Sequence, residues 1–150
     1  MMFEIIRQKS FNPIADQLKM WDICIFNYLI GNTDNHIKNV SLLYDEELKT
    51  VRLAPAYDIL STVIYTSSTR DMAFSIGNEY DIEKITRDSF RREAANIGLG
   101  EQMAMKRFDY LANAFPYALN KACDELLGKG FNKAIDIYER IRDKRREFIS

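Results

Sequence analysis

Ile30-Gly31-Asn32-Thr33-Asp34-Asn35-His36-Ile37-Lys38-Asn39 is the stretch on which the reading of this chain turns. Gly31 closes an apolar segment, and the polar side chains that follow cannot continue an amphipathic helix. Upstream, Asn12 is a candidate N-cap and Pro13 a first helical residue. Ile14, Leu18, Trp21, Ile25 and Tyr28 then recur on one helical face, with Cys24 and Leu29 widening the stripe. The pattern predicts a core helix from about Pro13 to Ile30 that delivers the polar stretch at its C-terminus.

Downstream, Val40 to Tyr44 and Val51 to Leu53 read as two short strands, joined by the polar connection Asp45 to Thr50. Pro55 ends the second strand, and Asp58 follows at the hairpin exit. Ser61 to Arg70 is a Ser/Thr-rich loop, and Met72 to Ile76 a strand before a turn at Gly77-Asn78. Thr86 caps a helix of about Arg87 to Ile97, closed by Gly98. Another helix starts near Glu101, meets Pro116 as a kink or boundary, and ends near Gly128. The last spans about Asn132 to Phe148. Its apolar face is Ala134, Ile135, Tyr138, Ile141 and Phe148, with Arg140, Arg142, Lys144, Arg145 and Arg146 on the other side. The expected fold class is mostly α with a small β-hairpin that carries the polar cluster.

Bulk properties exclude more than they select. A length of 150 residues suits a single domain over 1–150, and 47% hydrophobic residues can fill its core. A formal net charge of −1 gives no support for general nucleic-acid or membrane binding. The longest apolar run, Ile23 to Ile30, is broken by Asn27 and is far short of a membrane span. Met1 to Lys9 lacks the apolar core of a signal peptide. Cys24 and Cys123 have no metal-like spacing and sit in apolar helical stretches, so both read as reduced structural thiols, which fits a cytoplasmic protein.

The polar cluster has the layout that phosphoryl transfer requires. A carboxylate must orient the attacking hydroxyl and receive its proton, and oxygen ligands must hold magnesium against phosphates. Asp34 and Asn39 have the spacing of a phosphoryl-transfer loop, and Asp58 returns beside Asn39 because a hairpin's open ends are adjacent. Asp and Asn after a helix are also common turn formers and caps. A lone histidine such as His36 is more often a structural hydrogen-bonder than a catalytic group, and Lys38 is usually a solvated charge but can also neutralise a transferring phosphate.

Ile30 to Asn39 closely resembles the catalytic loop of HipA-type kinases, and Arg52-Leu53-Ala54-Pro55-Ala56-Tyr57-Asp58-Ile59-Leu60 resembles that family's metal-binding segment. Asp71 to Ile76 and Ile85-Thr86 also look like stretches of the same family. The resemblance runs from about Asn12 to the final helix and is loose after residue 100. It implies a kinase-like C-lobe, with Asp34 as catalytic base and Asn39 and Asp58 as magnesium ligands. It implies Mg2+ and ATP as cofactors and serine or threonine hydroxyls of proteins as acceptors, an aminoacyl-tRNA synthetase among them. It also implies a toxin role, with a DNA-binding antitoxin as partner. The spacing of Asp34, His36 and Asn39 also resembles the phosphatidylinositol kinase loop.

A whole kinase needs a glycine-rich loop and a strand-borne lysine over the phosphates. No glycine precedes Gly31, and Lys9 and Lys19 lack strand context. The expectation is therefore a lobe that is incomplete without an N-lobe, inactive alone. The alternative is a non-catalytic lobe that only binds a partner. A patch of exposed apolar side chains is expected where an N-lobe would pack, with Leu42, Leu53, Ile59 and Leu60 as candidates.

Overall fold

The computed structural model describes residues 2–146, with Arg146 described in its backbone alone. Helix α1 (Met2–Lys9) leads into α2 (Pro13–Ile30), then a 3-10 turn (Ile37–Asn39) and the strands β1 (Leu42–Tyr44) and β2 (Val51–Leu53). A second pair follows, β3 (Asp71–Ile76) and β4 (Glu79–Asp81), and then α3 (Arg87–Asn96), α4 (Glu101–Gly128) and α5 (Ala134–Arg146). Each strand pair is a separate two-stranded antiparallel sheet.

Helix α2 begins and ends where its local chemistry demands. Asn12 Oδ1 accepts the Ala15 N–H at 3.3 Å, and Pro13 takes the first helical position, where its missing N–H costs nothing. Gly31 closes the helix in the left-handed region at φ 75°, its N–H donating to the Tyr28 carbonyl at 3.2 Å. The buried face is Met20, Trp21, Cys24, Ile25, Tyr28 and Leu29. The stripe does not start at Ile14, which is 75% exposed; the buried side chain of the first turn is Asp16 instead.

The main core gathers α2, α3 and α4 around Trp21, Tyr28, Phe90 and Phe108. Phe90 meets Trp21 edge-on at 5.6 Å, Tyr28 at 5.1 Å and Phe108 at 4.7 Å. The polar tips are satisfied: Trp21 Nε1–H donates to the Ala104 carbonyl at 3.0 Å, and the Tyr28 hydroxyl to that of Ile85 at 2.9 Å. Truncating Trp21 in such a setting costs about 3–5 kcal/mol. A smaller cluster of Ile6, Met20, Cys24 and Leu53 packs α1 and the first hairpin against α2. Helix α1 was not expected from the sequence; eight residues show too few turns for a clear periodicity, and Ile6 alone is fully buried.

The first hairpin pairs Leu42 with Leu53, Leu43 with Arg52 and Tyr44 with Val51. Its turn is capped by Asp45, whose carboxylate accepts from the Lys49 N–H at 2.8 Å and the Thr50 hydroxyl at 2.7 Å. The second pair turns at Gly77 and Asn78, with φ of 60° and 69°, values that suit a tight hairpin turn. Strand β4 is Glu79-Tyr80-Asp81 and escaped the sequence reading because it lacks apolar alternation. Pro116 neither ends nor divides α4, which runs unbroken through it.

Three expectations are corrected. Of the four candidates for an apolar surface, Leu53 is 4% exposed, Leu42 is half-buried on the smaller cluster, Ile59 is half-buried and Leu60 alone is exposed; Leu43, Tyr44 and Leu48 also face solvent. Arg145 is not on an open basic side but buried, its guanidinium 4.5 Å from the centre of the Tyr28 ring. Of the apolar face of α5, Ala134 and Ile141 are buried and Ile135 is exposed, while Phe148 lies outside the described residues. Cys24 and Cys123 are both buried and free. Among the described residues no helix is long and apolar enough to cross a membrane.

Candidate active site

The polar stretch leaves α2 through Gly31, whose carbonyl accepts from Thr62 N–H at 2.9 Å, Val63 N–H at 3.1 Å and the Thr62 hydroxyl at 3.1 Å. Thr62 Oγ1 in turn accepts the Thr33 N–H at 2.8 Å and sits 2.7 Å from the Thr33 hydroxyl. From the other side, Ala73 N–H of β3 donates to the Thr33 carbonyl at 3.1 Å. Asn32 is buried and ties the loop inward, with Nδ2 donating to Asn27 Oδ1 at 2.8 Å and Oδ1 accepting the Asp34 N–H at 3.1 Å. A short loop pinned on three sides holds its side chains in place.

Burial alternates along it. Asn32, Thr33 and Asn35 face inward, while Asp34 and His36 face out. The Asp34 and His36 side chains are each 61% exposed, and His36 Nε2 lies 3.0 Å from Asp34 Oδ1. Asn39 Nδ2 donates to the Asp34 carbonyl at 3.3 Å, which leaves Asn39 Oδ1 as the uncommitted end of its carboxamide. Lys38 is exposed, and its backbone carbonyl accepts the Tyr57 hydroxyl at 2.9 Å. Tyr57 also meets Ser41 Oγ at 2.8 Å, so it clasps the loop to the hairpin exit.

Asp58 sits in the left-handed region at φ 55°, a conformation that Asp tolerates better than most residues yet which costs energy. Its carbonyl lies 3.5 Å from Asn32 Nδ2. Asn39 and Asp58 line one small cleft, together with Asn32, Asn35, His36 and Tyr57. The hairpin thus brings Asp58 back to the loop beside His36 and Asn39, while Asp34 stands on the same loop but is not among the residues that line the cleft. Lys38 is not among the residues that line the cleft.

The donor set fits a hard divalent cation of the open kind. Asp58 offers a carboxylate and Asn39 a carboxamide oxygen, and Mg2+ typically takes one or two protein oxygens while phosphates and waters complete its shell. Among the described residues no group of three or more His, Cys, Asp and Glu forms a self-sufficient metal cage. Asn35 lines the same cleft, and its carboxamide is buried with no hydrogen-bond partner among the described residues. A second, apolar cavity of about 370 Å³ adjoins the cleft and shares Met20, His36, Val40 and Phe74 with it.

The sequence reading singled out Asp34, His36, Lys38, Asn39 and Asp58. It missed Thr62 and Tyr57, which hold the loop, because one lay in what read as a plain Ser/Thr-rich loop and the other in a strand exit. It missed Asn35 because inward and outward faces of an irregular loop have no periodicity to betray them.

A family model described as HipA-like C-terminal domain matches residues 1–119. The chain is 34% identical over 123 residues to the Sinorhizobium fredii protein Y4mE, covering 82% of this chain and 29% of that one. It is 27% identical over 111 residues to the serine/threonine-protein kinase toxin HipA of Shewanella oneidensis, covering 74% of this chain and 25% of the toxin. The fold matches a chain of the solved Shewanella oneidensis complex of HipA, HipB and operator DNA, with a TM-score of 0.76 and 21% identity, covering 98% of this chain and 35% of that one. The chain therefore spans only 29% and 25% of the length of these two curated relatives.

Proposed function

Because the chain belongs to the HipA-like C-terminal domain family, we propose that it is the catalytic and metal-binding lobe of a protein serine/threonine kinase. Residues 1–150 form one kinase-like C-lobe on this reading, and an N-lobe supplies the glycine-rich loop and lysine that grip the nucleotide. The reaction is transfer of the ATP γ-phosphoryl group to a protein hydroxyl. The hydroxyl oxygen bonds to the γ-phosphorus, the bond to the bridging oxygen of ADP breaks, and the hydroxyl proton passes to Asp34.

The carrying observation is the juxtaposition made by the hairpin: Asn39 before it and Asp58 after it line one cleft, and Asp34 stands on the same loop. Asp34 orients the acceptor hydroxyl and takes its proton. His36, 3.0 Å from Asp34 Oδ1, restrains that carboxylate. Asn39 Oδ1 and the Asp58 carboxylate would hold Mg2+, which neutralises charge on the phosphate oxygens when bound. Lys38, exposed beside the loop, is assigned to the charge of the transferring phosphate.

The kinase is expected to act in the cytoplasm. A DNA-binding antitoxin is the proposed partner, since the structurally matched HipA is solved with HipB and operator DNA. A protein acceptor of the aminoacyl-tRNA synthetase class is proposed from the family resemblance. The test is phosphate transfer from labelled ATP by this chain joined to a relative's N-terminal half. Label should appear on protein serine or threonine and fall at least about 100-fold in Asp34→Asn, as loss of a positioned base does. Equal labelling by that variant would sink the assignment. Binding of the N-terminal half without any transfer would favour the non-catalytic, partner-binding lobe.

A further inference from the structure

The apolar cavity beside the cleft has a carboxylate in its wall, that of Glu93, and no lysine or arginine among the described residues that line it. Its volume of about 370 Å³ falls within the range, about 300–1,000 Å³, of pockets that enclose small ligands. Helix α3 contributes Phe90, Glu93 and Ile97, whose spacings of three and four put them on one helical face. Glu93 is half-buried. Its Oε2 accepts the Gly77 N–H at 2.9 Å and lies 3.5 Å from Asn96 Nδ2. A glutamine would serve those amides equally well. The second oxygen and the negative charge are left over, since no lysine or arginine among the described residues pairs with Glu93. That charge acts within the cavity: burial first and the Glu93 carboxylate second push up the thiol pKa of Cys24, which lines the same space.

The rest of the wall is apolar and aromatic, with Phe3, Trp21, Phe74 and Phe90 supplying rings. A carboxylate in such surroundings is costly without a cation beside it, and ring faces attract cations as well. An anionic guest would meet like charge here and find no basic side chain, and a neutral one would leave the charge uncompensated. We propose that the cavity binds a small organic ammonium ion, its hydrocarbon body among Met20, Trp21, Phe74 and Phe90 and its N–H groups at the Glu93 carboxylate. Such a guest also meets His36, which lines both this cavity and the cleft. It therefore touches the polar loop while leaving the space between Asn39 and Asp58 free. The site stands independently of the metal assignment.

Trp21 is the one tryptophan of the chain and lines the cavity, so its fluorescence reports occupancy. The test titrates three probes of one shape into the folded chain: phenethylammonium, the neutral phenethyl alcohol and the anionic hydrocinnamate. Phenethylammonium should give a saturable change and bind about tenfold more tightly than the alcohol, as a hydrogen bond to a charged group implies. Hydrocinnamate should bind most weakly of the three. This comparison is made on the wild type and does not depend on any variant folding. Glu93→Gln, which keeps an acceptor for the Gly77 N–H, should lower the affinity for phenethylammonium about tenfold and leave that for the alcohol unchanged. Equal affinity for ammonium and alcohol, or undiminished ammonium binding by Glu93→Gln, overturns the inference, and so does the absence of any saturable change. The same titration on the chain joined to a relative's N-terminal half should give the same order. Loss of all binding there would show that protein fills the cavity, and would overturn the inference as well.

Discussion

Asp16 Oδ2 accepts the backbone N–H of Leu53 at 2.8 Å, tying the first turn of α2 to the second strand of the hairpin that carries Asp58 past its end. The carboxylate is buried, and Ser10 Oγ donates to it at 2.6 Å while Lys19 lies 3.6 Å away. Burial works to raise its pKa, but the Ser10 hydroxyl, the Leu53 amide and Lys19 together outweigh burial and hold it below the ordinary 3.8.

Asp16→Ala should cost about 2–3 kcal/mol, because it leaves the Leu53 N–H buried without its charged acceptor. The contribution is complete above the ordinary carboxylate pKa, since the folded value is depressed, and is lost as pH falls through that lower folded value. Urea melts of wild type and variant should therefore differ at pH 7 and begin to converge only as pH falls below the ordinary 3.8. A gap that persists unchanged at acid pH would assign the effect to packing.

Gly31→Ala should destabilise the chain by at least about 2 kcal/mol. Its φ of 75° disfavours a side chain, and a Cβ there would collide with Val63 Cγ2. The collision pushes apart the loop and the segment that pins it, so amide exchange at Thr33 and Thr62 should quicken more than in the α3–α4 core. Uniform loss of protection would contradict this local account.

Cys24 should resist thiol reagents in the folded state. Burial first, and the Glu93 carboxylate second, push its thiol pKa up to about 12, so almost no thiolate forms at neutral pH. The reaction with a disulfide reagent at pH 7.5 should track unfolding in urea; rapid labelling of Cys24 under native conditions would show that the apolar cavity opens freely.

Leu53→Asp should unfold the hairpin, since it places a charge in the cluster with Ile6, Met20 and Cys24. Leu48→Asp, at a side chain 73% exposed, should leave the melting temperature within a degree or two. Tyr44→Asp, 65% exposed, should likewise spare stability. If the solvent-facing side of the hairpin meets another lobe, these two variants weaken that association while circular dichroism stays unchanged.

Residues 1–150 alone should show negligible ATP turnover, because the grip on the phosphates is assigned to another lobe. Robust turnover by the isolated chain, sensitive to Asp34→Asn, would mean that the catalytic apparatus is complete within it.

Local signals made much of this protein legible as a sequence. Asn12, Pro13 and Gly31 bounded α2 through interactions that reach only a few residues, and the hairpin followed from two short apolar runs around a polar turn. The adjacency of Asn39 and Asp58 was readable for the same reason, because a hairpin returns its own ends to one place. Burial was not readable, since it depends on which distant surface arrives. Ile14 and Trp21 share a helical stripe, but only Trp21 meets α3 and α4, so one is exposed and the other is core. Leu53 looked like surface until α1 and Asp16 covered it, and Arg145 looked like a solvated charge until α5 packed on Tyr28. Asn35 is the sharpest case: nothing in its neighbours' identities says that it turns inward, and only the packing of residues 62–63 and β3 around the loop decided that it does.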